Sequence, residues 1–307
     1  MNCYDDKKTL NLDQLSKLVD PSNPDAVKEA VFKIFNYIKL PQEMVEQFSH
    51  VFDDIRDLYN GKYEGYRGCD TEYHDFRHTT DVLLATVRLV DAIILSGEKI
   101  STDGIFAVAV AAIMHDAGYI PEKDDPIDSG AVYTSNHVDR GIEFLKKYMD
   151  KNNYSKQIAE IAGQIILTTE LKCDIKKIKF LSKETKRLAH ILAAADLLGQ
   201  MADRIYLEKL LFLYKEFTAG EVPGFASEED LLLKTVQFYD IMKKRLKDDL
   251  DGVDQLMVHH FKERNGIDIN LYHQGMENNI KYLHFILSHH SGSHRDFLRR
   301  DGLISKL

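Results

Sequence analysis

The stretch AVAVAAIMHDAGYIP, Ala107 to Pro121, decides how this chain folds. From Gly104 to Met114 it is apolar on every side, which suits a helix enclosed by other helices rather than one with a solvent face. The run is longer than a typical buried strand, and Asp103 stands where an N-cap would open a helix. It ends abruptly on His115-Asp116, followed by Gly118 and Pro121. A central helix is therefore expected to deliver a histidine and an aspartate from the core. Adjacent helical residues diverge by about 100°, so the pair can serve one point only if the backbone turns there, as Gly118 would allow. A histidine favoured by the helix dipole beside an exposed aspartate is the plainer reading of that pair alone.

Working outward, the remaining segments also read as helices. Asn23-Pro24 has the form of an N-cap followed by proline at the first helical position and opens a helix through Ile38. Leu40-Pro41 breaks it, and Gln42 to Tyr59 resumes with Met44, Phe48, Val51, Ile55 and Leu58 in helical register. Further helices are predicted over Phe76–Ser96, Asn136–Met149, Ser155–Leu171, Lys183–Phe217, Glu228–Lys247 and Ile269–Ser288, with loops at Gly61–Thr71 and Pro121–Gly130. No alternating strand run flanked by hairpin turns, internal repeat or low-complexity tract interrupts the pattern. The expected fold is all-α: an N-terminal helical arm, 1–60, packed on a main helical unit, 61–307, around one core.

The chain has 307 residues, a formal net charge of −9, 44% hydrophobic and 29% charged residues. These values are ordinary for a globular protein and provide no broad basic face for a nucleic-acid backbone. Three scattered cysteines, Cys3, Cys69 and Cys173, read as reduced thiols rather than a disulfide framework. The N-terminus MNCYDDKK lacks a basic-then-apolar leader, and the longest apolar run is too short to cross a bilayer. A cytoplasmic protein with no membrane contact is expected; oligomeric state is not legible.

Two more segments place histidines and aspartates in helix-prone surroundings: TEYHDFRHTTDV, Thr71 to Val82, and HILAAADLLGQMADR, His190 to Arg204. His78, His115, Asp116 and Asp196 form the ordered series H…HD…D. Charged groups are costly to bury without partners, and one divalent cation would partner all four. His74 and His78 share a helix face about one turn apart, roughly 6 Å, so one can bind metal while the other faces what the metal holds. Asp81, one turn beyond His78, is positioned to orient an imidazole N–H. Ala193-Ala194-Ala195 allows close helix approach beside Asp196, with Arg204 as the alternative partner for that carboxylate.

Together these segments resemble the HD superfamily of metal-dependent phosphohydrolases, and within it the helical catalytic domain of class I cyclic-nucleotide phosphodiesterases. The residues carrying the resemblance are Tyr73-His74-Asp75-Phe76-Arg77-His78-Thr79-Thr80-Asp81-Val82, His115-Asp116 and Ala195-Asp196-Leu197. It spans roughly Glu72 to Leu246. It implies that His78, His115, Asp116 and Asp196 ligate a first metal and that His74 protonates the leaving oxygen. Leu167-Thr168-Thr169-Glu170 is similar to the family's Thr-Asp-Met stretch, with Glu170 near its acidic position. Asn136-His137 and Gly141-Ile142-Glu143-Phe144-Leu145 resemble another HD branch, in which that histidine serves a second metal.

The chain departs from the phosphodiesterase pattern at several places. Asp75 stands where asparagine is usual, Ala117-Gly118-Tyr119 lacks a histidine after the HD pair, and Leu198-Gly199-Gln200 replaces Ser-Asn-Pro. Lys234-Thr235-Val236-Gln237-Phe238 resembles the segment around the purine-reading glutamine, but alignment on Val236 and Phe238 puts Thr235 at its position. The resemblance therefore implies hydrolysis of a small phosphomonoester or phosphodiester, nucleotide-like but not an ordinary cyclic nucleotide. It implies one or two divalent ions (Zn, Mg, Mn or Fe) and substrate contacts from Thr235, Gln237 and Phe238. Two other functions fit an HD scaffold: a di-iron oxygenase and a non-catalytic nucleotide-binding module. The histidine-rich stretches Val258–Phe261 and Ser288–Arg295 are expected to be structural.

Overall fold

The computed structural model describes residues 14–290 and 292–306; Cys3 and the rest of the first thirteen residues lie outside them. The fold is all-α, and the only β feature among the described residues is an isolated Tyr66–Glu122 bridge. Its helices are α1 (Gln14–Leu18), α2 (Pro24–Tyr37), α3 (Gln42–Tyr59), α4 (Phe76–Leu95), α5 (Thr102–Met114) and α6 (His137–Lys151). They continue as α7 (Lys156–Ile166), α8 (Lys183–Ala202), α9 (Tyr206–Ala219), α10 (Glu228–Asp248), α11 (Met257–Asn265) and α12 (Leu271–His289).

Local chemistry sets the helix starts. Asn23 accepts from the backbone N–H groups of Asp25 and Ala26 ahead of α2, Asp75 from His78 N–H at α4, Ser182 from Thr185 N–H at α8, and Asn270 from Tyr272 and His273 N–H at α12. Ser101, not Asp103, caps α5: its hydroxyl accepts from Gly104 N–H, leaving Asp103 in the first turn, where its charge favours the dipole. Every residue of α5 from Gly104 to Met114 is buried, as its uniformly apolar sequence requires.

Helix α5 lies among α3, α4, α6, α7 and α8, while α4 also packs on α2, α8 and α11. The α4–α8 contact is close because Gly199 rests against the Val82 backbone, where an added Cβ would lie 3.3 Å from Val82 N. The small side chains of Ala193 to Ala195 are buried on the same helix. Side chains from both sides of residue 60 occupy one core: Phe48 of α3 meets Phe106 of α5 edge-on, with ring centroids 6.4 Å apart.

Three expected boundaries change. The predicted helix Lys183–Phe217 is two helices, because Asp203 adopts φ −59, ψ 136 and its carboxylate accepts from Ile205 N–H just before α9. The predicted helix Ser155–Leu171 ends at Ile166 and tightens into a 3-10 turn, Leu167–Thr169. Val258 to Phe261 belongs to α11, a helix that its polar, histidine-rich sequence did not announce. Cys69 and Cys173 are free and half-buried. No described helix is long and apolar enough to cross a membrane.

Candidate metal centre

Four side chains from three helices and one turn meet where the start of α4 and the end of α5 approach the buried face of α8. His78 sits in the first turn of α4, its position set by the Asp75 cap. His115 ends α5 and Asp116 follows in a turn (φ −101, ψ 7), so the chain leaves the helical path between them and both side chains reach one point. The turn needs Gly118, since a Cβ there would collide with the His137 carbonyl oxygen. Asp196 projects from α8 after the three alanines.

The geometry is tight. His78 Nε2 lies 3.3 Å from Asp116 Oδ2 and 3.4 Å from Asp196 Oδ1. His115 Nε2 lies 3.2 Å from Asp116 Oδ2 and 3.8 Å from Asp196 Oδ1. Donor atoms around an ion with bonds of about 2.0–2.2 Å would stand roughly 2.8–3.6 Å from one another in octahedral or tetrahedral geometry. His78, His115 and Asp116 by themselves form a buried group whose donor atoms all lie within 4.8 Å.

Hydrogen bonding leaves two of these atoms unsatisfied. His115 Nδ1 lies 2.8 Å from the Ala112 carbonyl oxygen, so Nδ1–H donates and Nε2 keeps its lone pair. His115 Nε2 and Asp116 Oδ2 are both buried without a hydrogen-bond partner. Burial opposes charge on His78, but Asp116 and Asp196 outweigh it and push that imidazole up to about 10. Burial likewise works against the Asp116 carboxylate, and the histidines around it prevail, holding it well below the usual carboxylate range. Asp196 receives Gln200 Nε2 at 3.2 Å, and Gln200 Oε1 accepts from the Tyr73 hydroxyl at 2.7 Å. Arg204 is not its partner; it pairs with Asp301.

His74 borders this cluster. Its Nδ1 lies 2.6 Å from Glu216 Oε2, and Glu216 Oε1 accepts from Tyr73 N–H at 2.5 Å. Its ring stacks on Tyr119, centroids 4.2 Å apart, and Tyr119 stacks in turn on His137 at 4.4 Å. Asp75, the departure that sequence reading places as extra negative charge beside His74, is bound by Lys209 Nζ at 2.9 Å. Glu216, Lys209 and Tyr119 escape a motif search. The first two lie more than 130 residues from their partners, on a helix that reads as ordinary core.

The other expected site residues divide. His137 joins the cluster's edge: Nδ1 donates to the Thr134 carbonyl at 2.9 Å, and Nε2 lies 3.8 Å from Asp116 Oδ1. Burial and the neighbouring histidines lower its pKa against the pull of Asp116. Asp81 does not orient an imidazole. Its nearest cation is Arg77, with Nε 3.9 Å away, and burial followed by Asp203 pushes its carboxyl well above the usual range. Glu170 follows the 3-10 turn, its carbonyl accepting from Arg245 at 3.4 Å, and among the described residues its carboxylate makes no ion pair with the cluster histidines.

Thr235 is buried with its hydroxyl donated to the Leu231 carbonyl at 2.9 Å, Gln237 is exposed, and Phe238 packs half-buried against the core. Helix α10, which carries all three, packs on α9 and α12 rather than on the ends of α4 and α5. The C-terminal histidine stretch is also apart: His294 and Arg295 both bind Glu228 at the start of α10.

A family model described as Npun_R2479-like matches residues 123–258. The matched stretch contains His137, Asp196 and Glu216 but not His74, His78 or the His115–Asp116 pair. No curated protein matches the chain.

Proposed function

We propose that this protein is a metal-dependent phosphohydrolase acting on a small, nucleotide-like phosphate ester. The observation that carries the reading is the convergence of His78, His115, Asp116 and Asp196 with buried donor atoms left unbonded. Two imidazoles and two carboxylates suit zinc, iron or manganese better than magnesium. A divalent ion bound there would supply a Lewis acid for a phosphoryl oxygen and lower the pKa of a coordinated water.

The chain's own groups account for the rest. Glu216 holds His74 at Nδ1, which leaves Nε2 as the ring atom that delivers a proton to the leaving oxygen. Gln200 and Tyr73 hold the Asp196 carboxylate at the angle at which it faces both imidazoles. The Ala112 carbonyl fixes the His115 tautomer. A second ion is favoured by one observation: Asp116 presents Oδ2 to His78 and His115 but Oδ1 to His137, whose Nδ1 is already occupied. Asp116 and His137 would then be the residues to hold it.

The test is metal analysis of protein purified without added metal, followed by phosphatase and phosphodiesterase substrate panels. One or two equivalents of metal with metal-dependent release of phosphate or alcohol supports the proposal. A fully folded protein that binds no divalent ion overturns it. Iron with visible absorbance and no hydrolysis would favour the oxygenase reading instead.

A further inference from the structure

Three turns along α4 from His78, the structure buries an arginine that lacks a carboxylate. Arg88 is only 4% exposed. Its Nη1 donates to the Tyr272 hydroxyl at 3.0 Å, and the guanidinium lies 5.6 Å from the Phe261 ring centroid and 5.8 Å from that of Tyr272. Its Nε is buried with no hydrogen-bond partner. Among the described residues it forms no ion pair, whereas Arg77, Arg204, Arg264 and Arg300 each face an acidic side chain. A desolvated guanidinium with an unused donor is costly unless something supplies the missing charge.

Arg88 also borders empty space. A cavity of about 40 Å³ lies between α4, α8 and α12, with Leu15, Ser16 and Val19 of the α1 segment over it and Tyr272 and Ala202 among its walls. That is room for about three waters, or for one small oxyanion. The other charged groups on its wall are committed elsewhere. Asp203 holds Arg77 at 3.0 Å, Arg204 pairs with Asp301, and Asp81 faces Arg77. None of His78, His115, Asp116 and Asp196 lines the space.

We propose that this cavity is a binding site for a small oxyanion, a phosphate or carboxylate group whose oxygens pair with the Arg88 guanidinium beneath α1. A planar, permanently charged fork with free N–H donors is the side chain best matched to such a group. The site is independent of the proposed hydrolysis and needs no metal.

The test uses the full chain treated with chelator, so that no metal-held anion contributes. Inorganic phosphate and acetate are titrated separately at constant ionic strength by calorimetry, with chloride as the control; the two arms distinguish a phosphate from a carboxylate ligand. Wild-type protein is expected to bind at least one of them saturably. Arg88→Met, which keeps the bulk and removes the charge, should weaken binding by about tenfold or more, the worth of one charged hydrogen bond. Val19→Phe keeps Arg88, fills the space from above, and should weaken binding to the same extent; it decides the matter alone if Arg88→Met fails to fold. Absence of saturable binding by both anions, or wild-type affinity in either folded variant, would overturn the proposal.

Discussion

Helix α4 carries two buried clusters of histidine and aspartate, one at each end, and they behave in opposite ways. At its C-terminal half Asp91, fully buried, receives His260 Nδ1 at 2.7 Å and both Nε and Nη2 of Arg264 at 3.0 and 2.7 Å. Its oxygens are occupied by protein. At the N-terminal end His78 faces two carboxylates, yet Asp116 Oδ2 and His115 Nε2 remain buried without hydrogen bonds. Each buries a histidine against an aspartate; hydrogen-bonding capacity left unused is what separates the second from the first. The first cluster ties α11 to α4. In the second, attraction between imidazoles and carboxylates works against desolvation, and two of its buried atoms stay unbonded.

The largest effect that would sharpen this contrast is Asp196→Ala. It should remove bound metal and activity together, while the chelated protein's unfolding midpoint changes little, because Gln200 Nε2 loses the Asp196 carboxylate but keeps the backbone carbonyl of residue 196 at 3.2 Å. Metal analysis and thermal unfolding check both halves. Unfolding of the variant would instead class this cluster with the structural one.

Next, His74→Ala should retain metal and lose about 10²–10⁴-fold in turnover, the contribution of a general acid. Glu216→Gln should lose less, since His74 keeps a neutral hydrogen-bond partner. If His74→Ala strips the metal, its imidazole is a ligand and the acid must be another group.

Asp91→Asn tests the other end of α4. Leaving Arg264 without its carboxylate should cost about 3–5 kcal/mol, towards the lower figure because Arg264 is 20% exposed. Metal content should be unaffected.

The same cluster predicts a pH dependence. Burial depresses His260 below its ordinary 6.5 despite Asp91, so the unfolded chain takes up that proton first and stability falls as pH drops below about 6.5. Burial works to raise Asp91, but His260 and Arg264 outweigh it and set it below its ordinary 3.8; its contribution is complete above that value and is lost on further acidification. The variant should lack this second loss, as unfolding midpoints from pH 7 to 3 would reveal.

The smallest expected effect concerns substrate. Cyclic AMP and cyclic GMP should be poor substrates, because Thr235 spends its hydroxyl on Leu231 and Gln237 faces solvent. An unpaired purine edge costs about 1–3 kcal/mol per group, one or two orders of magnitude in affinity. A kcat/KM above about 10⁵ M⁻¹s⁻¹ on either nucleotide would contradict this.

The architecture was legible wherever one physical rule dominated. Helix α5 announced itself through uninterrupted apolar residues, and α2 through an asparagine-proline start. The α8–α9 break was hidden because it contains neither glycine nor proline; Asp203 makes it with one backbone angle and its own carboxylate. The cluster donors could be read because each interrupts an apolar context. Glu216 could not, since a glutamate on a helix normally faces water and nothing local marks one that bonds 142 residues away. Asp81 misled because helical spacing specifies a shared face, not which neighbour a carboxyl meets; here it meets Arg77.

Helix α9 grips three consecutive residues ahead of α4. Glu216 holds the Tyr73 backbone and the His74 ring, and Lys209, two turns away, holds Asp75. None of the four metal-donor candidates comes from α9. Selection therefore has two separate handles on this molecule. Changes along α9 or at the Asp203 corner can move the His74 ring, while His78, His115, Asp116 and Asp196 on their own elements stay untouched. Under the proposed reaction, such changes would re-aim the proton donor toward a differently shaped leaving group without disturbing the metal donors.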